Sequence, residues 1–161
     1  MSWLTVKQNI QFGLKIKHIT NEELEKKTNE MLELVGLSNF SGYYPSQLSA
    51  SMLQRVAIAR AFAVQPELLL MDEPYGQLDI ELRFKLEDEL LNLWRKLGTT
   101  VIFITHNIEE AVYLSQRILV LTNKPTTIKE NIINDLSYPR DITADDFIEL
   151  RNRVTDLIKW W

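Results

Sequence analysis

An apolar run that stops at two adjacent carboxylates is the feature that most constrains this chain. Residues 67–74 read Glu-Leu-Leu-Leu-Met-Asp-Glu-Pro. Apolar residues in succession, without alternation, predict a strand that is buried on both faces, as in a parallel sheet covered by helices. Pro74 cannot continue a central strand and biases Glu73 toward an extended conformation, so Asp72 and Glu73 are predicted at the strand end. In open α/β sheets ligands bind at this edge, although an acidic turn without function fits the octapeptide equally well.

The composition excludes several classes of protein. Apolar residues make up 45% of the 161 residues, and the formal net charge of −4 predicts no nucleic-acid partner. The absence of cysteine excludes a disulfide framework and a thiolate metal site. No apolar run reaches the roughly 18 residues that span a bilayer, and the first residues lack a secretory core segment. We therefore expect a cytoplasmic protein without direct membrane insertion, which meets a membrane only through a partner.

Residues 1–65 are predicted to form a helical subdomain. Three helices are expected, each preceded by a residue type that commonly caps helix N-termini: Thr5, Asn21 and Ser49. The first is expected to end near Gly13, the second at Gly36, and the third before Pro66.

From residue 66 onward, predicted strands and helices alternate. Buried strands are expected at residues 68–71, 100–105 and 118–121, with a long amphipathic helix closed by Gly98 after the first and a short helix capped by Asn107 after the second. Helices of this length between strands predict parallel pairing with right-handed crossovers.

The end of the chain completes the predicted division. Residues 123–139 are expected to form a turn and an edge strand. Thr143 with Asp146 resembles a capping box that opens a last helix, whose apolar stripe runs to Trp161. The predicted parts are therefore a helical subdomain at 1–65, a partial core at 66–139 and a C-terminal helix at 140–161.

Several short motifs, taken together, carry a resemblance to a known family. They are Leu48-Ser49-Ala50-Ser51-Met52-Leu53-Gln54-Arg55, Leu70-Met71-Asp72-Glu73-Pro74, Gly76-Gln77-Leu78-Asp79 and Ile104-Thr105-His106. In this order and separation they resemble the ATPase subunit of ABC transporters over essentially the whole chain. Three further stretches are similar to the importer branch that serves nitrate, sulfonates and taurine: Trp3-Leu4-Thr5-Val6 with Asn9-Ile10, Asn107-Ile108-Glu109-Glu110-Ala111-Val112, and Tyr138-Pro139-Arg140-Asp141.

The fold class that the resemblance implies is α/β: a partial P-loop NTPase, RecA-like, with a parallel sheet and flanking helices, preceded by an ABC-type helical subdomain. The implied function is the ATP-binding, ATP-hydrolysing subunit of an importer, which couples hydrolysis to transport of a small anion such as nitrate, a sulfonate or taurine. The implied cofactors are ATP and Mg²⁺. The implied partners are a transmembrane permease subunit and a second ATPase subunit, which together place the protein at the inner face of the cell membrane.

The resemblance also implies catalytic and metal-binding roles. Asp72 would hold Mg²⁺ through a water, because Mg²⁺ favours carboxylates, retained waters and substrate phosphates. Glu73 would orient or deprotonate the water that attacks the γ-phosphate, and His106 would hydrogen-bond that phosphate. Without its neighbours, a lone histidine after a strand is usually structural.

The remaining implied site residues act across a dimer. Ser49, Ala50 and Ser51 would present a helix N-terminus, with its free N–H groups and positive dipole end, to the γ-phosphate of ATP held by the partner subunit. Asp79 would help to shape the opposite site. Taken alone, Ser49 and Asp79 are ordinary N-caps.

The sequence departs from the family pattern in two places. The paired glycines of the signature motif, which allow close backbone approach and positive φ, are replaced by Ala50 and Ser51. No Gly-x-x-x-x-Gly-Lys-Ser/Thr loop occurs among the 161 residues, so the backbone N–H groups and lysine that cradle phosphates have no counterpart. We therefore predict that the isolated chain binds Mg-ATP poorly and does not hydrolyse it, and that part of its sheet is left uncovered.

Two other interpretations remain open from the sequence. A non-catalytic interaction module could keep the helical subdomain and dock on a membrane subunit or an intact ATPase. A different strand-end ATPase with a RecA-like core shares the Asp-Glu arrangement but leaves residues 48–55 unexplained.

Overall fold

The computed structural model describes residues 1–76 and 79–159, and the chain divides into two compact units, Met1–Ile102 and Phe103–Trp161. Within the described residues the helices are α1 (Val6–Ile16), α2 (Asn21–Leu34), α3 (Ala50–Ala63), α4 (Ile80–Leu97), α5 (Ile108–Leu114) and α6 (Asp145–Ile158), with short 3-10 turns at Ser38–Phe40 and Pro45–Gln47. The strands are β1 (Leu68–Asp72), β2 (Thr100–Ile104), β3 (Arg117–Leu121) and β4 (Ile128–Ile133). This mixed composition confirms the predicted α/β class. The predicted division at residues 65 and 139 stays a prediction.

Helix starts in the first unit follow local capping chemistry. Thr5 caps α1 with a complete capping box, and Ser49 caps α3, as predicted. The predicted cap of α2 was wrong by one residue: the hydroxyl of Thr20 accepts from the Glu23 backbone N–H, and Asn21 is the first helical residue. Helix α1 also continues past Gly13 to Ile16, because a single glycine weakens a helix without ending it.

Helices α1, α2 and α3 pack together and build most of the core of the first unit. The fully buried apolar side chains of this packing include Val6, Ile10, Leu37 and Phe62. A buried amide supports the N-terminal end: the Asn9 side chain donates to the carbonyls of Met1, Leu4 and Thr5 at 3.0–3.1 Å. Residues 1–5 are thereby fixed to α1.

The sheet of β1 and β2 is covered on one face only. Exposure alternates along β1, where Leu68 and Leu70 are 50% and 66% exposed while Met71 is buried. Ile102, in the paired strand β2, is 49% exposed. The expectation that β1 is buried on both faces was therefore wrong, because among the described residues of the first unit no helix covers Leu68 and Leu70. The uncovered apolar sheet that the sequence predicted agrees with this exposure.

We expect this bare face to drive self-association. Leu70→Lys should weaken association by about tenfold or more, because burying a leucine side chain is worth about 1.5–3 kcal/mol. Sedimentation velocity at high concentration measures the effect. The matched control is Ile16→Lys at the end of α1, where an isoleucine outside the strands is 65% exposed. A wild-type chain that stays monomeric, or an equal effect of the control, would contradict the prediction.

The second unit contains a β-hairpin packed on a helix. Strand β3 pairs with β4 in an antiparallel register that places Arg117 opposite Ile133 and Ile118 opposite Ile132. The edge strand predicted within residues 123–139 is confirmed. The third predicted strand does not extend the sheet of β1 and β2, because its neighbour in the described residues is the next strand along the chain. The core of the unit consists of Val112, Ile118, Val120, Ile132, Phe147 and Val154.

The start of α6 corrects the predicted capping box. Ala144 is the N-cap and makes no side-chain hydrogen bond. The Thr143 hydroxyl donates instead to the carboxylate of Asp141 at 2.6 Å, while the Asp146 carboxylate accepts from the backbone N–H of Phe147. The apolar stripe of α6 is present through Leu157, and Trp161 lies outside the described residues.

Candidate functional site

The two carboxylates of the sequence motif stand at the end of β1. Asp72 is the last residue of the strand and Glu73 follows it, and both side chains are exposed. Glu73 has a φ of 43°, so the predicted extended conformation before Pro74 was wrong. A residue with a Cβ pays roughly 1–2 kcal/mol for left-handed backbone, and such strain concentrates at functional sites. The turn at Glu73 therefore redirects the chain directly after the strand.

A buried tyrosine anchors this turn. Tyr75 is 1% exposed, and its hydroxyl donates to the carbonyl of Leu86 in α4 at 3.3 Å. The backbone N–H of Gly76 donates to the carbonyl of Glu73, which closes the turn. An anchored ring two residues from Glu73 holds the backbone that carries its carboxylate. The next motif residues, Gln77 and Leu78, lie outside the described residues.

Asp79 and Ser49 both cap helices. The Asp79 carboxylate accepts from the backbone N–H of Leu82 at 2.9 Å, and α4 ends at Gly98 with a φ of 66°. The Ser49 hydroxyl accepts from the N–H of Met52 at 3.3 Å and lies 3.0 Å from the Ser51 hydroxyl. The capping roles that the sequence allowed are thus present, and the roles toward a nucleotide stay predictions.

The two residues that stand in place of the signature glycines lie inside α3. Ala50 is the first residue of the helix, and neither Ala50 nor Ser51 has a positive φ. The left-handed freedom of glycine is therefore not used here, and the replacement adds only the volume of two side chains. Ala50 is exposed and Ser51 is half-buried, so the N-terminal end of α3 remains accessible.

Arg55, at the end of the same motif, forms an ion pair with α4. Its Nη2 lies 2.5 Å from Oε1 of Glu89, and the two side chains are 16% and 30% exposed. Burial raises the pKa of Glu89 above its ordinary value, with Arg55 acting in the opposite direction. The folded state therefore disfavours the ionised carboxylate, and the contribution of Glu89 to stability falls as pH rises through its pKa.

We expect Arg55→Met to make the pH dependence of stability steeper. Loss of the guanidinium raises the pKa of Glu89 further, so the destabilisation should grow by about 1–2 kcal/mol between pH 4 and pH 7. Urea unfolding at several pH values measures it. Lys27→Met is the control, because it removes the i,i+4 pair with Glu23 on the surface of α2. If Arg55→Met lowered the free energy of unfolding by the same amount at every pH, ionisation of Glu89 could not be the cause.

His106 lies in the second unit, in a turn that hydrogen bonds fix on both sides. The Thr105 hydroxyl donates to the carboxylate of Glu110, which is buried, and accepts from the backbone N–H of Asn107 at 2.9 Å. The Asn107 side chain caps α5 by accepting from the N–H groups of Glu109 and Glu110, as predicted. His106 itself is exposed between these residues.

Three side chains hold the other end of α5, and the sequence analysis gave none of them a structural role, although Tyr138 and Arg140 belong to a stretch that resembles the importer branch. Arg140 is 6% exposed and donates to the carbonyls of Val112, Tyr113 and Ser115 at 2.7–2.8 Å, and also to that of Leu136. Asn134 donates to Val112 and Ser115, and the Tyr138 hydroxyl donates to Leu114 at 2.6 Å. We call Asn134, Tyr138 and Arg140 the α5 clamp. One sequence signal could have indicated that α5 needs such partners: residues 115–117 contain no glycine to cap its C-terminal end.

The carboxylate of Asp72 is a ligand type that suits Mg²⁺, and the described residues around it form no complete metal site. Within residues 1–76 and 79–159, no group of three or more His, Asp or Glu side chains is arranged to hold a metal ion. Mg²⁺ needs no such cage, because it is commonly bound through one or two carboxylates, waters and substrate phosphates. Asp72 could supply one such carboxylate. The Gly-rich loop and lysine that would bind the phosphates have no counterpart among the 161 residues.

Comparison with known proteins decides the family. A family model described as ABC transporter matches residues 1–76. An uncharacterised ABC transporter ATP-binding protein of Methanocaldococcus jannaschii is 46% identical over 159 residues, which cover 99% of this chain and 60% of the relative. The chain belongs to the ABC transporter ATP-binding family. Its motifs at residues 48–55 and 70–74 are therefore those of an ABC transporter ATP-binding chain, as the sequence predicted.

Two relatives of this ABC transporter ATP-binding chain have names that state a solute. The aliphatic sulfonates import ATP-binding protein SsuB of Bacillus thuringiensis is 46% identical over 152 residues, covering 94% of this chain and 59% of the relative. The nitrate import ATP-binding protein NrtD of Synechocystis is 39% identical over 166 residues, covering 98% of this chain and 62% of the relative. The chain thus spans about three-fifths of the length of these relatives. Of the helices in the described part, none combines the length and apolarity needed to cross a membrane.

Proposed function

We propose that the chain contributes the hydrolytic end of the nucleotide site in an ABC importer ATPase. The observation that carries the proposal is that Asp72, the last residue of β1, and Glu73, which follows it, are both exposed. Asp72 binds Mg²⁺ through a water, and Glu73 orients or deprotonates the attacking water. His106 hydrogen-bonds the γ-phosphate, and most of the rate comes from positioning and charge stabilisation.

The second part of the proposal concerns the opposing subunit. The N-terminal end of α3, with Ser49, Ala50 and Ser51, faces the γ-phosphate of ATP that the dimer partner holds. Asp79 helps to shape that opposite site. The proposed partners are a second ATPase subunit and a transmembrane permease, and the proposed solute is a small anion such as nitrate, a sulfonate or taurine. The names of two relatives, which state aliphatic sulfonates and nitrate, support the first two solutes.

The 161-residue chain by itself is proposed to be inactive. A phosphate loop supplies the backbone N–H groups and the lysine that hold the β- and γ-phosphates, and this sequence contains none. Without that grip, Asp72, Glu73 and His106 have no bound triphosphate on which to act.

Two proteins test the proposal together. One is the 161-residue chain, and the other is the same chain fused behind the phosphate-loop segment of an import ATP-binding relative. We expect phosphate release from Mg-ATP by the fusion protein and none by the chain alone. An inactive fusion protein that binds Mg-ATP would overturn the hydrolytic role, and turnover by the chain alone would overturn the predicted inactivity. An inactive fusion that binds a permease would favour the non-catalytic interaction module.

A further inference from the structure

Helix α5 is too short to be stable without help. It has seven residues, whereas isolated helices shorter than about 12–15 residues are marginal in water. The last carbonyls of such a helix have no partner within it and need donors from elsewhere. The α5 clamp supplies them, since carbonyls of residues 112–115 accept hydrogen bonds from its three side chains. The order of α5 therefore depends on residues 134–140.

The clamp contains a buried charge, whose desolvation costs more free energy than burial of a neutral side chain. Arg140 is almost fully buried, and its guanidinium lies 4.0 Å from the centre of the Tyr138 ring. Removing a guanidinium from water is costly, and well-packed apolar side chains often serve stability equally well. What the guanidinium fork of Arg140 adds is direction, because Nε and Nη2 both donate to the carbonyl of Leu136 while Nη1 donates to three carbonyls at the end of α5.

The opposite end of α5 carries the proposed phosphate contact. Asn107 caps the helix, and the carboxylate of Glu110 within the helix holds the hydroxyl of Thr105. His106 lies between these two fixed neighbours. A shift or fraying of α5 would move Asn107 and Glu110, and therefore the turn that carries His106.

We infer that Arg140 is a positioning residue for His106, acting through α5. The inference rests on the proposed function, in which His106 contacts the γ-phosphate. Arg140 does not touch the nucleotide; it holds the C-terminal end of the helix whose N-terminal end presents His106. A displacement of about 1 Å in such a contact can cost about a hundredfold in rate.

A spectroscopic test needs no activity. The chain has two histidines, His18 and His106, so a histidine-labelled sample gives one signal at the site and one internal reference in the first unit. Arg140→Lys keeps the charge but loses the fork. We expect it to shift or broaden the His106 ring signals and to raise amide exchange in α5 about tenfold, with His18 unchanged.

Two further variants keep this test decisive. Tyr138→Phe removes the hydroxyl bond to Leu114 and keeps the ring and Arg140, so it is expected to give a smaller change of the same kind if Arg140→Lys folds poorly. Arg153→Gln is the matched control, because Arg153 lies on α6 and pairs with Glu130 on the surface. An Arg140 variant that lowers the melting temperature but leaves His106 and α5 exchange as in the wild type would overturn the inference.

A kinetic test uses the fusion protein. Arg140→Lys should lower kcat by about tenfold to a hundredfold while KM changes less. If Arg140 acts through His106, Arg140→Lys combined with His106→Gln should be no slower than His106→Gln alone, whereas multiplied losses would overturn the inference. If no fusion protein hydrolyses ATP, the proposed function has failed, and the spectra alone then decide whether Arg140 positions His106.

Discussion

Glu73→Gln should lower the kcat of the fusion protein by about a thousandfold. Glutamine keeps the size of the side chain but can neither accept a proton nor orient water with a full charge, and general-base catalysis contributes about 10²–10⁴-fold. Mg-ATP binding should be retained, because Asp72 carries the proposed metal contact. Phosphate release and nucleotide titration on the same sample separate the two effects.

The matched control for Glu73 is the acid at the other end of the same strand. Glu67 precedes β1, is exposed, and contributes its backbone carbonyl to the Thr100 N–H, so Glu67→Gln removes a charge without touching the sheet. We expect normal turnover from Glu67→Gln. Equal activity of the two variants, or equal loss, would show that the position of the carboxylate at the strand end is irrelevant.

Phe147→Ala should be the most destabilising single change in the second unit. Phe147 is 1% exposed and packs among Val112, Ile118, Val120, Ile132 and Val154. Truncating a buried phenylalanine costs about 3–5 kcal/mol, and small domains have only about 5–15 kcal/mol of stability in total. The second unit, whose hydrophobic core is small, should then be largely unfolded near 40 °C. Amide exchange across β3 and β4 should be accelerated by more than about a hundredfold.

Ile133→Ala provides the comparison. Ile133 lies in β4 beside Ile132 but is 53% exposed on the opposite face of the hairpin. Its truncation should change the free energy of unfolding by less than about 0.5 kcal/mol. If both variants exchanged β3 amides at the same rate, the buried cluster could not be the source of the unit's stability.

Most of the accurate predictions depend on a few neighbouring residues. The caps at Thr5, Ser49 and Asn107 involve a side chain and an N–H two or three residues away, so composition and order contain the whole interaction. The same applies to Gly98, which ends α4 in the left-handed conformation that glycine adopts without penalty. The motif at residues 70–74 likewise predicted where Asp72 and Glu73 leave the strand.

The larger errors depend on residues that are distant in the sequence. The run at residues 68–71 is apolar throughout, and no local pattern reveals that Leu68 and Leu70 lack a covering helix. The error at Thr143 is local: its hydroxyl donates to Asp141, two residues earlier, and does not form the predicted capping box with Asp146. The α5 clamp joins residues 19 to 28 positions apart, a distance at which sequence order gives no pairing information.

The α5 clamp also determines where the second unit can change length. The hairpin tip, residues 122–127, is exposed from residue 123 onward and is held by its own hydrogen bonds, with the Thr122 N–H donating to the Thr127 carbonyl at 2.9 Å. Extra residues there lengthen a loop and leave both strands in register. One residue added between Asn134 and Arg140 would instead move the guanidinium away from the carbonyls that it binds. Insertions and deletions among homologues should therefore collect at the tip and avoid residues 134–140.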